Sequence, residues 1–414
     1  MLSSPRSSRL RESVRKGNHK WGRRAAIAVI GLAVWIVAVP AAAEGRAAPH
    51  LSEGYALLRA GDVRGAERSY LTAVRAQPDY APAWLVLGDF YHGVRNDCGE
   101  AVPWYEGFLA RAGGVAAPMD VVLEKVIACH EAAENWDAAA ARCSELVAWN
   151  RERRRHEDAI SALRRRSENE IRAGRYEQSL TTLQALLFRD GNDRRAWELR
   201  AFARFQLGQF EAALEDHYWI RSAFGPDRYV NREIGAALFK LGRLQPARES
   251  LLLSLRIDGE HADTLRWLAR TWEELGRPAE AEKAWRQCLH ASPGARLAAV
   301  AANNLAWLLA RRCAPGDPRL LEAHKLASDA VDADGDEPRF LDTLAEVSLR
   351  LGRGTDALRY ARRAFREAPS DPYYRDRFVA LRDAAHSHAT PGGLRRFERS
   401  PGLKSSDGPS RTPD

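Results

Sequence analysis

The side chains best suited to covalent or metal chemistry are five cysteines, Cys98, Cys129, Cys143, Cys288 and Cys313. None shows CxxC spacing, and no cysteine–histidine set has the spacing of zinc ligands, so no metal site is expected. Cys129 and Cys143 flank a turn near Glu134, a spacing that could set them opposite each other. Two readings stay open for this pair. One is a disulfide, which an oxidising compartment would favour; the other is two small buried thiols. His130 follows Cys129, but adjacent helical positions point to different sides. The sequence contains no GxSxG, no HExxH, no phosphate-cradling glycine loop and no carboxylate pair that stands out from solvated helix faces. Neither an enzyme nor a cofactor is expected.

Binding chemistry is better represented. Arg195, Phe202, Phe205, Tyr229, Arg232, Phe239, Lys240, Arg266 and Arg270 alternate basic and aromatic types. A guanidinium can fork onto a carboxylate, and aromatic anchors concentrate the energy of an interface. Such a surface would hold a protein partner or an extended peptide with acidic and apolar side chains. The opposing reading is that Glu198, Glu273 and Glu274 share the face and neutralise it. Which holds depends on the elements that carry these residues.

Those elements are marked by a ladder of glycines. Gly174, Gly208, Gly242 and Gly276 recur every 34 residues, within RAGRYEQSL, QLGQFEAAL, KLGRLQPAR and ELGRPAEAE. A period of this length marks one supersecondary unit stacked many times. In the clearest copy, Leu265, Leu268, Ala269 and Trp272 lie on one helical face. Gly276 then ends the helix in the left-handed conformation. A second face follows with Ala281, Ala284, Trp285 and Cys288, and Pro293 closes the unit. Each unit is therefore predicted to be a helix–turn–helix, with Trp272 and Trp285 filling the space opposite the alanines.

The pattern resembles the tetratricopeptide repeat. Trp84, Leu87, Gly88 and Tyr91 match its first helix; Ala66, Tyr70, Ala73 and Pro78 match its second, as do Ala281, Trp285 and Pro293, and Ala357, Ala364 and Pro369. The resemblance covers about residues 47–371. It implies an all-α fold, a right-handed α-solenoid superhelix of about nine repeats, with partners bound along the concave surface. The units fall at 47–80, 81–118, 121–154 (degenerate), 160–193, 194–227, 228–261, 262–295, 299–337 and 338–371. A capping helix is expected at 372–388 and a disordered tail at 389–414. The chaperone-tail clamp of the family needs an asparagine four residues after its cation. Arg232 is followed there by Ala236, so that ligand is not implied.

The N-terminal 43 residues read as a signal peptide or signal anchor. Residues 1–24 hold eight basic residues against Glu12, so nearly all of the formal net charge of +8 sits there. The apolar run Ala25–Val39 is short for a membrane span, and PAAAEG follows it with small residues before Glu44. A membrane would be touched only if this segment stayed uncleaved. The remainder is close to neutral, so no nucleic-acid partner is expected. The chain is expected to be exported, periplasmic or extracellular, or else anchored in the inner membrane with its repeats outside the cytoplasm. Two functions fit: a non-catalytic scaffold of the bacterial envelope, and an accessory subunit of an envelope enzyme, secretion or glycosylation assembly.

Overall fold

A computed structural model describes residues 45–112, 118–292 and 294–386. The expected signal segment and the expected tail lie outside these residues. The described residues form helices and no strand, packed as consecutive antiparallel pairs. The chain divides into two compact units at Leu199/Arg200.

The first unit contains α1 (Ala48–Arg59), α2 (Val63–Ala76), α3 (Ala81–Asp89), α4 (Cys98–Leu109), α5 (Met119–Ala132), α6 (Trp136–Glu152), α7 (His156–Arg172) and α8 (Tyr176–Leu187). Asp62 caps α2 by accepting from the Gly65 N–H at 2.8 Å, as expected of an aspartate at that position. The buried face of α2, with Ala66, Tyr70, Ala73 and Val74, follows the helical period. Gly54 and Gly88 are small for steric reasons. A Cβ on either would stand 2.5 Å from the ring of Tyr70 or Tyr105, across the hairpin. Helix α3 departs from the pattern. It runs into a π-helical turn, Phe90–Val94, in which the Arg95 N–H bonds back five residues to the Phe90 carbonyl.

Helix α9 (Arg194–Gln206) carries the division between the units. The second unit continues with α10 (Phe210–Phe224), α11 (Arg228–Lys240), α12 (Leu244–Asp258), α13 (Ala262–Glu274), α14 (Pro278–Ala291), α15 (Ala295–Arg312), α16 (Arg319–Asp334), α17 (Pro338–Arg350), α18 (Gly354–Glu367) and α19 (Pro372–His386). Its largest core cluster joins Trp285, Leu305, Leu309, Phe340, Leu341 and Leu344. Trp285 is 1% exposed, whereas Trp272 is only half-buried. The two tryptophans thus do not share the filling role equally, as the sequence pattern implied.

The four ladder glycines all have positive φ, from 68° to 76°. At Gly276 the turn is a Schellman motif. The Gly276 N–H donates to the Glu273 carbonyl and the Arg277 N–H to that of Trp272, at 3.0 and 2.8 Å. Where the ladder lacks a glycine the same two bonds persist. Glu134 and Arg154 adopt φ of 54° and 55°, with Asn135 and Arg155 donating to the carbonyls of His130 and Asn150.

Candidate functional site

Consecutive first helices of the second unit, α9, α11 and α13, bring most of the expected binding residues together. Phe202 and Phe205 come from α9, Arg232 from α11 and Arg266 from α13. With Gln206, Glu233, Asp263 and Trp267 they line a narrow cleft of about 20 Å³. Its floor is Trp267, 5% exposed, with the Phe205 and Phe239 rings at centroid distances of 6.4 and 5.5 Å. Lys240, Arg266 and Arg270 place their charged ends 5.7, 4.8 and 5.2 Å from the indole centroid. Arg270 also lies 5.0 Å from the Phe239 ring, and Arg232 4.9 Å from that of Tyr229. Cations at these separations are attracted by the negative faces of the rings.

The cleft is not the uniformly basic wall that the alternation predicts. The Arg232 guanidinium donates to Glu233 Oε1 at 2.5 and 2.8 Å. Burial pushes the Arg232 pKa down, but Glu233 beside it outweighs that and raises it overall. Arg266 contacts Asp263 at 3.3 Å. Arg195 lies in the first unit, where it donates to Glu168 at 3.0 Å and approaches Glu198 at 4.0 Å. Of the acids expected to neutralise the face, Glu198 approaches Arg195, and Glu273 accepts from the Trp285 indole N–H.

Trp267, Gln206, Glu233 and Asp263 are not among the residues that the sequence pattern singles out. Trp267 does pack, but the cations gather on it. A signal was present, since Trp267 stands between Arg266 and Arg270 on one helix. Helix ends and arginine clamps fix the surroundings. Asp227 caps α11 through the Val230 N–H, and Asp216 accepts from Arg200 and Arg204 of α9 at 2.6 and 2.8 Å.

Of the two readings open for Cys129 and Cys143, the structure has two free, buried thiols. All five thiols are free. Cys143 is buried and accepts from Asn169 at 3.8 Å. The Cys129 Sγ lies 2.7 Å from that of Cys98. His92 joins these two, and the three ligand atoms lie within 4.8 Å of one another. No motif spacing shows this cluster, because the π-helical turn and the hairpin after it assemble it.

Residues 51–116 match the family described as tetratricopeptide repeat, and residues 108–224 that described as bacterial transcriptional activator domain. No curated protein matches the sequence significantly. Among solved structures, the APC/C hetero-tetramer Cut9–Hcn1 is similar, with 13% identity and a TM-score of 0.51 over 80% of this chain. The chain spans 62% of the length of that one. The complex of Naa15 and Naa10 bound to HypK-THB is 15% identical with a TM-score of 0.46, over 86% of this chain and 66% of the other. PilF of Pseudomonas aeruginosa is 17% identical with a TM-score of 0.46, over 53% of this chain and 97% of the other. At such identities the likeness concerns the fold alone.

Proposed function

We propose that this tetratricopeptide-repeat chain is a non-catalytic scaffold that holds an extended segment of a protein partner at the Trp267 cleft. The gathering of Lys240, Arg266 and Arg270 around one tryptophan, beside the Phe202 and Phe205 rings, carries the reading. An apolar side chain of the partner would lie against Phe205 and Trp267. A neighbouring carboxylate would take the guanidinium face that Glu233 or Asp263 now holds, an exchange of one ion pair for another. The near-neutral charge of the repeats argues against nucleic acid as the partner. The basic leader, short apolar run and small residues before Glu44 support a place outside the cytoplasm, in the cell envelope.

Site-specific photo-crosslinking in an envelope extract tests this, with the photoreactive group at position 205 of the full chain. A partner captured there, and not from position 188, is the expected result; Phe188 is 90% exposed and lies in the first unit. Arg270→Ala should weaken the captured complex about tenfold, roughly 1.4 kcal/mol, without lowering the melting temperature. Capture from position 188 alone, or an affinity unchanged by Arg270→Ala, would sink the cleft as the docking site.

A further inference from the structure

The His92, Cys98 and Cys129 cluster plays no part in the cleft, and it lies in the other unit. Its geometry is specific. The π-helical turn Phe90–Val94 carries His92, and Asn96 at φ 54° reverses the chain. Cys98 is thereby placed as the first residue of α4, half-exposed, while Cys129 comes from the buried face of α5. Their sulfurs are 2.7 Å apart. Two thiolates on one tetrahedral zinc stand about 3.7 Å apart, so this spacing suits a bond between the sulfurs better than a shared metal.

The hydrogen-bond network also fixes the state of His92. The Tyr105 hydroxyl donates its proton to Asp89 Oδ1 at 2.7 Å. His92 Nδ1 is 3.2 Å from that hydroxyl oxygen and must be the donor, which leaves a lone pair on Nε2. Burial, then the nearby Lys125, lowers the His92 pKa, which keeps the ring neutral at pH 7. Burial pushes the Cys129 thiol up to about 12, so this sulfur needs a base before it can attack.

We propose that Cys98 and Cys129 are a redox site, closed by a small-molecule or protein disulfide into a bond that staples α4 to α5, with His92 as the base. Half-exposed Cys98 is the sulfur the oxidant reaches. As a thiolate it attacks the oxidant, forming a mixed disulfide and releasing one thiolate. Cys129 gives its proton to His92 and attacks the Cys98 sulfur, expelling the second thiolate, which takes up a proton. The protein loses two electrons and two protons, and the oxidant disulfide becomes two thiols.

The full chain, purified reduced and free of metal, is treated with oxidised glutathione alone. Two of the five thiols should disappear, and non-reducing peptide mapping should join the Cys98 and Cys129 peptides. Cys143→Ser should leave this unchanged, whereas Cys129→Ser should stop at the glutathione adduct of Cys98. His92→Gln should slow the closing step by about tenfold or more without changing the end point. Five surviving thiols, or a link through Cys143, would overturn the pair, and an unchanged closing rate in His92→Gln would overturn the base. Zinc supplied alone gives a further test. Stoichiometric zinc that protects both thiols from the oxidant would make the cluster a metal site and overturn the redox reading.

Discussion

Trp285 and Trp272 look equivalent in the sequence and differ in the fold. Trp285 lies inside the largest core cluster of the second unit, and Trp272 sits half-buried beside it. Trp285→Ala should therefore cost about 3–5 kcal/mol and Trp272→Ala clearly less, as read from urea unfolding midpoints. Equal losses would show that the two positions pack alike. A second residue-scale prediction concerns Arg377 of α19. It donates to Asp342 Oδ1 of α17 at 2.9 Å, both side chains nearly fully buried, and to Glu346 at 2.5 Å. Asp342→Asn weakens the compensation of a buried guanidinium and should cost about 3 kcal/mol. Burial pushes Glu346 up, yet Arg377 and Arg350 outweigh it and hold it below its ordinary value of 4.5. A lowered folded pKa gives stability that is complete above 4.5 and is lost as pH falls through the folded value. Amide exchange in α19 should accordingly speed up below pH 4.5 in the parent and much less in Glu346→Gln. The partners Glu233 and Asp263 show what spacing leaves out. Period and residue type put Arg232 and Arg266 on one face, but whether a charge is spent on a neighbour is settled by side-chain geometry.

Each hairpin turn is built on one residue with positive φ, and the glycine ladder made most of these turns readable in advance. A side chain in that conformation costs roughly 1–2 kcal/mol. Nothing lies within 4 Å of a Cβ built on Gly276, so Gly276→Ala meets no clash and tests the backbone alone. It should destabilise by about 1 kcal/mol, since the alanine also narrows the unfolded ensemble and returns part of the cost. Glu134→Gly should do the reverse and stabilise by up to about 1 kcal/mol. Matching thermal melts would check both, and a stabilising Gly276→Ala would contradict the left-handed turn. Glu134 and Arg154 explain why the third unit looked degenerate. The two turn bonds are made by backbone, so the motif survives where its glycine signature is gone. The π-helical turn after α3 is not marked by the repeat pattern. One extra residue per turn leaves no period to detect, and it is this irregularity that carries His92 towards the two cysteines.

At the scale of the whole chain, the sequence foretold an all-α stack because every unit repeats the same burial pattern. It foretold the cluster of sulfurs poorly, because that depends on which helices become neighbours. Charge follows a different logic again, since it is concentrated rather than repeated. Eight basic residues of the first 24 account for nearly all of the formal +8, and the rest of the chain is close to neutral. If the leader is removed in export, as proposed, the protein should change from a basic to a nearly neutral one in a single cut. Isoelectric focusing of the envelope fraction should show the low-charge form, and mass spectrometry should place its N-terminus near Glu44. An anchored chain would instead keep its full charge and stay with the inner membrane through extraction at high salt, because a hydrophobic segment is not displaced by screening. Recovery of the intact, basic protein from the cytosol would rule out both forms of export. It would leave the Trp267 cleft as a proposal about a cytosolic partner, and would place the Cys98–Cys129 pair where the thiol pool keeps it reduced until an oxidant arrives.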